Sequence, residues 1–346
     1  MDPNNEPIVA PPIPGLRFRH FRGEEDYPVL LHVRNTSMHA DSVDDDLYTL
    51  ERFIHTYRPT PGYEPGRDLL VAEVDGEVVA YSRVFADLEL DGSRVYWHGG
   101  FVLPAWRGRG LGRALIGWTE AHARALVAAD PASGPVVMSA DTRETQTGMI
   151  GLLRARGYTP VRYWFRMETP DLDHIPDMPL PPGLEIRPAQ PEHYRSIWEA
   201  MIEAVRDHWG ASESEAQDFE GWLTNPFFQP DLWVVAWDGD QVAGSILNYI
   251  DQEYNETTGR KIGYTEFITV RRPWRRRGLA RALLARSMAV HKAHGMTQTA
   301  LGVDTDNPSG ALNLYQHMGY QVTGQETTYR KPLAPLTLPQ QAEVDS

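Results

Sequence analysis

Segments of this chain recur in order. Pro14-Gly15-Leu16-Arg17-Phe18-Arg19 has a counterpart 168 residues later, Pro182-Gly183-Leu184-Glu185-Ile186-Arg187. At the same offset, Val102-x-Pro104-x-Trp106-Arg107-x-x-Gly110-Leu111-Gly112 is matched by Val270-x-x-Pro273-Trp274-Arg275-x-x-Gly278-Leu279-Ala280. Gly157-Tyr158 is matched by Gly319-Tyr320 at an offset of 162. Three ordered matches mark a tandem duplication, so the 346 residues are expected to form two copies of one supersecondary plan. A stretch with five prolines, 169–183, separates the copies and reads as an extended linker. This gives domains at 16–168 and 184–332, with residues 1–15 and 333–346 as loose tails.

Each block has the same coarse order. A short strand (16–22, 184–188) precedes helical stretches (25–57, 191–223). A hairpin follows, centred on Asp75-Gly76 in one block and on Asp238-Gly239 in the other, since Asp-Gly between apolar runs favours a tight turn. A fourth strand (93–103, 261–271) leads into a helix from about residue 109 or 277. Leu279, Ala282, Leu283 and Val290 share one face of the second such helix. A strand, a helix and final strands close each block. The class is α/β, a tandem pair of mixed, mostly antiparallel sheets flanked by helices.

Composition narrows the chemistry. Cysteine is absent, which excludes disulfides, thiolate nucleophiles and cysteine-ligated metals and fits a reducing cytosol. The formal net charge of −14 argues against a general nucleic-acid binder, despite the short run Arg271, Arg272, Arg275, Arg276, Arg277. No apolar run has membrane-spanning length and the N-terminus lacks signal-peptide character, so a soluble cytoplasmic protein is expected. His208, His291, His294 and His317 have no HExxH-type spacing, and no metal is assigned.

The strand-to-helix junction is the most informative segment. Arg107-Gly108-Arg109-Gly110-Leu111-Gly112 and Arg275-Arg276-Arg277-Gly278-Leu279-Ala280 each follow a strand and open a helix. A helix N-terminus favours phosphate, small residues admit it close to the backbone, and arginines add charge-assisted hydrogen bonds. The spacing fits neither the Walker loop nor the dinucleotide fingerprint.

V-x-x-x-x-R/Q-x-x-G-x-G/A in that context resembles the acyl-CoA pyrophosphate loop of the GNAT superfamily of N-acyltransferases, and the resemblance spans nearly all of both blocks. It implies acyl-CoA contacts from Ile268, Val270, Arg275, Arg276, Arg277, Gly278, Leu279, Ala280 and Asn307 in the second block. In the first it implies them from Val102, Arg107, Gly108, Arg109, Gly110, Leu111 and Gly112. The run Asn307-x-x-x-Ala311-x-x-Leu314-Tyr315-x-x-x-Gly319-Tyr320 is similar to the late helix of active members. There the asparagine lies near the pantetheine arm and the tyrosine protonates the departing thiolate, a nearly matched transfer. Tyr315 also fits an apolar helix face. Glu266 lies on the fourth strand, where alternation puts 264, 266, 268 and 270 on one face. It is a candidate base for the amine proton, or a structural carboxylate.

The first block departs from this pattern. Leu153 and Thr145 stand at the positions of Tyr315 and Asn307, and His98 is the counterpart of Glu266 at the 168-residue offset. The first block is therefore expected to be non-catalytic. It either retains acyl-CoA binding or serves as a scaffold. Two such domains with only the second fully equipped resemble the mycothiol synthase family of tandem acetyltransferases. The expectation is an acetyl-CoA-dependent transferase acting on a primary amine of a small molecule, with a non-catalytic acyl-CoA sensor as the alternative. Glu203, Arg206, Asp207, His208, Trp209, Trp222 and Tyr254 lie where acceptor contacts would arise, without singling any one out.

Overall fold

The computed structural model describes residues 8–43, 47–212, 217–307 and 310–333. Most of the C-terminal tail and residues 1–7 lie outside them. Among the described residues the first half supplies β1 (Leu16–His20), β2 (Leu69–Val74), β3 (Glu77–Leu88), β4 (Arg94–Val102), β5 (Val136–Arg143) and β6 (Thr159–Glu168). Its helices are α1 (Tyr27–Ala40), α2 (Leu50–Tyr57), α3 (Pro65–Asp68), α4 (Leu111–Ala129) and α5 (Thr147–Ala155). The second half supplies β7 (Glu185–Arg187), β8 (Val234–Asp238), β9 (Gln241–Tyr249), β10 (Ile262–Val270), β11 (Gln298–Asp304) and β12 (Gln321–Pro332). Its helices are α6 (Tyr194–Val205), α7 (Phe219–Leu223), α8 (Gln252–Thr258), α9 (Leu279–Ala293) and α10 (Ala311–His317).

All these strands join one sheet, in the order β1-β2-β3-β4-β5-β12-β6-β11-β10-β9-β8-β7. Only β4·β5 and β10·β11 are parallel. The closing strands are exchanged. β12 lies beside β5 of the first half, and β6 lies beside β11 of the second. Arg162 on β6 reinforces this seam through a two-pronged ion pair with Asp304 on β11, at 2.7 and 2.6 Å.

Strand alternation separates two helical layers. In the first half Leu69 and Val71 pack under α1 and α2, while Leu70, Ala72 and Val74 pack under α4. In the second, Val235 and Leu247 face α6, whereas Val234, Ala236 and Ile246 face α9. Leu279, Ala282 and Leu283 are fully buried by α9, each leucine contributing roughly 1.5–3 kcal/mol, and Val290 packs at the rim of the same cluster.

The turns carry their sequence signatures. Asp75 and Gly76 both have positive φ, 52° and 90°, as a type I′ hairpin requires. The second hairpin is shifted by one residue from its expected position: Asp238 pairs with Gln241, and Gly239 (φ 55°) takes the first central place. Both proline-rich segments pack where they are described. Ile8 and Ile13 lie against the cluster of Leu111, Leu115 and Trp118. Leu172 is buried in the second core, with Ile175, Met178 and Leu180 beside it. Isolated isoleucines and leucines among the prolines supply apolar area enough to hold these extended segments down.

Candidate active site

The two glycine-basic turns share one backbone shape. Positive φ falls at Gly108 (73°) and Gly110 (94°) in the first half and at Arg276 (62°) and Gly278 (87°) in the second. Gly110 and Gly278 are the N-caps of α4 and α9, with no side chain bonded to the first-turn N–H groups. Those donors and the helix dipole suit a phosphate. Holding a non-glycine residue at Arg276 in this region costs about 1–2 kcal/mol. A Cβ on Gly278 would meet nothing within 4 Å, so the second turn is an open cradle. A Cβ on Gly110 would lie 3.0 Å from Pro11, so the N-terminal segment borders the first turn.

Arg107 and Arg275 do something other than face outward. Arg107 donates to Asp41 at 2.6 Å, to the Ser37 carbonyl at 3.0 Å and to the Val102 carbonyl at 3.2 Å. Arg275 repeats the pattern with Asp207 at 2.9 Å, Ala204 at 3.4 Å and Val270 at 2.9 Å. Each guanidinium ties its turn to the end of α1 or α6. Hydrogen bonds from Arg272 and Arg275 hold the Asp207 carboxyl down at about 2. Arg109 stacks on Trp106 at 4.7 Å, while Arg276 and Arg277 are solvent-exposed. Leu111 and Leu279 anchor the first helical turns in the core, and Gly112 and Ala280 keep those turns narrow.

The fourth strands differ. β4 pairs with β3 in unbroken register from Arg94 to Val102. β10 pairs with β9 up to Glu266↔Leu247 and resumes at Thr269↔Ser245, one residue out of step. Phe267 takes φ 46° and is 47% exposed, which marks a β-bulge. The bulge corrects two sequence readings. Tyr264 and Glu266 share the face toward α6, but Val270 lies on the α9 face with Ile268 beside the α9 core. His98 is also not the spatial counterpart of Glu266. It pairs with Val84 and faces α4, with Nδ1 3.5 Å from Thr119 Oγ1. Thr265 occupies that place in the second half, 3.2 Å from Ser287 on α9. Gly99 stands where Glu266 does. Burial lowers the His98 pKa to about 4, so its imidazole is neutral.

β10 and β11 part after Tyr264↔Ala300, opening a cleft at Glu266. Beyond that point Phe267 and Ile268 are outside the β9 register as well. Burial pushes the Glu266 carboxyl up to about 7, with Arg52 pulling the other way. Tyr315 on α10 is buried beside Tyr320, their ring centroids 6.1 Å apart. Burial raises its phenol pKa, and Tyr320 and the negative charge of Glu266 act in the same direction. Asn307 precedes α10, its backbone N–H donating to the Asp304 carbonyl at 3.2 Å. In the first half the corresponding α5 buries Leu153 completely.

Two cavities flank these strands. One, about 210 Å³, lies at the β4/β5 divergence, with His98, Ser82, Arg107, Gly108 and Gly112 in its lining. The other, about 250 Å³, lies beside Glu266. Its walls come from both halves: Tyr249, Tyr264 and Gly302 from the second, and Arg52, Arg143, Trp164 and Arg166 from the first, with Glu326 on the exchanged β12. Phe227, Tyr249 and Tyr264 form a stack at 4.3 and 4.8 Å.

None of Glu203, Arg206, Asp207, His208, Trp209 or Trp222 lines this cavity. Glu203 pairs with Arg271 at 2.7 Å, Trp222 packs in an aromatic cluster with Phe228 and Trp233, and Tyr254 backs Tyr264 edge-on. Arg52, Arg143 and Arg166 escape the sequence reading because their approach to Glu266 depends on strand exchange, which leaves no local motif. Among the described residues no cluster of His, Asp and Glu has metal-binding geometry, and no helix is long and apolar enough to cross a membrane.

Comparison with known proteins matches both halves to one family model, the acetyltransferase (GNAT) family, over residues 34–158 and 195–320. A mycothiol acetyltransferase of Geodermatophilus obscurus is 27% identical over 274 residues, covering 77% of this chain and 82% of the relative. A protein of the same description from Salinispora tropica is 27% identical over 285 residues, covering 81% and 85%. Among solved structures, a GCN5-related N-acetyltransferase from Sphaerobacter thermophilus superposes with TM-score 0.68 at 27% identity, over 92% of this chain and 96% of that one. A tandem GNAT protein from the clavulanic acid biosynthesis pathway shares the fold, with TM-score 0.66 at 16% identity over 92% and 99% of the two chains.

Proposed function

The chain belongs to the acetyltransferase (GNAT) family, and we propose that its second half transfers the acetyl group of acetyl-CoA directly to a primary amine of a small molecule. The observation that carries this reading is the bulge in β10. Glu266, the last residue in register before it, lines the cavity, Phe267 and Ile268 fall outside the β9 register at the same point, and β4 has no such break.

GNAT acetyltransferases use acetyl-CoA, and the open cradle at Gly278 with exposed Arg276 and Arg277 fits its phosphates. The β10/β11 cleft then receives the pantetheine arm and thioester. Glu266 takes a proton from the acceptor ammonium, directly or through water, leaving a nucleophilic amine. The amine nitrogen bonds to the thioester carbon, and bulge N–H groups stabilise the developing oxyanion. As the C–S bond breaks, Tyr315 gives its phenolic proton to the sulfur, and the tyrosinate takes the second proton from the nitrogen, leaving the neutral amide and the CoA thiol. The first half supplies the acceptor wall through Arg52, Arg143 and β6.

Closing each cradle separately tests the assignment. Gly278→Trp is expected to abolish amine acetylation, followed by product mass, while Gly110→Trp retains it. The opposite pattern would move catalysis to the first half.

A further inference from the structure

The cavity beside Glu266 is built around guanidinium groups, and its shape gives them room to hold a ligand. Arg166 on β6 stands in register with Gly302 on β11 and Gly324 on β12. A Cβ at Gly302 would meet nothing within 4 Å, and one at Gly324 only a Glu144 carboxylate oxygen at 3.9 Å. Both neighbouring strands therefore leave open space beside Arg166, on the sheet face that carries Glu266. Arg52 enters from α2, its guanidinium 3.9 Å from the Tyr48 ring centroid and 5.3 Å from that of Phe227.

Asp251 and Glu326 in the cavity lining, and Glu168 beside it, do not cancel this character. Asp251 caps α8, accepting from the Tyr254 N–H at 2.8 Å. Glu326 pairs with Arg143 at 3.2 Å. Glu168, 3.6 Å from Arg166, is held more closely by Arg260 at 2.6 Å. A guanidinium has five N–H donors and a carboxylate engages two, so an arginine with a protein partner still has donors for a ligand oxyanion.

We propose that the acceptor amine carries an oxyanion, a carboxylate or a phosphate ester, which Arg166 and Arg52 hold while the amine lies at Glu266. This rests on the reading of the second half as the acetylating site. The stack of Phe227, Tyr249 and Tyr264 then packs the apolar part of the acceptor.

The test uses the full chain, acetyl-CoA and matched amines: glucosamine 6-phosphate against glucosamine, and serine against serinamide. CoA release is expected to give the anionic member of at least one pair a kcat/KM about tenfold or more above its neutral partner. The two pairs distinguish phosphate from carboxylate. Arg166→Gln is expected to bring that ratio close to one, chiefly through KM. Equal rates within both pairs, or a preference that survives Arg166→Gln and Arg52→Gln, would overturn the proposal. If no amine of the panel is acetylated, calorimetric titration of the CoA-saturated protein decides. N-acetylglucosamine 6-phosphate or N-acetylserine should bind where the corresponding neutral compounds do not, and Arg166→Gln should abolish binding. Equal binding or no binding would overturn the proposal. Glu266→Gln separates the two readings: full turnover in that variant would remove the base assignment, while the Arg166-dependent preference would still stand.

Discussion

Glu266 and Gly99 occupy the same point of the two halves of the sheet. Glu266 pairs with Leu247 on β9, and Gly99 pairs with Arg83 on β3. Just before them, Thr265 and His98 each meet a hydroxyl residue on the following helix, Ser287 and Thr119. The halves thus align at an offset of 167 up to this point and at 168 after it, because β10 carries one extra residue at its bulge. The first half has a hydrogen atom where the second has a carboxylate.

As the proposed base, Glu266 with its pKa near 7 sets a pH dependence. The proton acceptor is the ionised form, so kcat/KM should rise through about pH 7 and level off above it. Glu266→Gln should remove that limb. The same shift affects stability. Its contribution is present below the ordinary carboxyl value of 4.5 and is lost as pH rises through about 7. Glu266→Gln should therefore melt higher than the parent at pH 8 and close to it at pH 4.5, as thermal unfolding at the two pH values will show.

Tyr315→Phe should lower kcat by about 10²–10⁴-fold while acetyl-CoA affinity changes little, since the role proposed for the lost hydroxyl is on the leaving group. Leu153→Tyr in the first half should confer no activity, because Gly99 leaves that half without a carboxylate at the cleft. Steady-state kinetics and calorimetric titration of the two variants check both statements.

Arg276 and Arg277 are exposed, whereas Arg275 is bound to Asp207. Arg276→Gln with Arg277→Gln should weaken acetyl-CoA binding by about tenfold at low ionic strength and less as salt is added. Asp207→Asn should instead lower the melting temperature, because it loosens the tie between the turn and α6. Titrations at two salt concentrations, with melting curves, separate the roles.

Much of this architecture is legible in the sequence, for identifiable reasons. The duplication, the hairpins and the glycine-basic turns depend on local patterns, and each leaves its glycine, its alternation or its helix start. The bulge at Phe267 leaves none. A single extra residue inside an apolar strand preserves composition and the matching of Val102 with Val270, yet it reverses which face Glu266 presents. The strand exchange is equally silent, because β6 and β12 are ordinary strands whose partners are chosen by long-range packing. That choice brings Arg52, Arg143 and Arg166 to the cavity.

Phe267→Gly should be tolerated, because glycine takes φ 46° without strain and the phenyl ring is half exposed. Phe267→Pro should destabilise by about 3 kcal/mol or more, since proline cannot adopt positive φ. Chemical denaturation of both variants tests whether the bulge is as described.

The most direct test compares Glu266→Gln with His98→Gln in the same acetylation assay. Catalysis in the second half requires Glu266→Gln to lose about 10²-fold or more in kcat/KM while His98→Gln stays near the parent value. Normal turnover in Glu266→Gln with a comparable loss in His98→Gln would contradict the account and place the reaction in the first half.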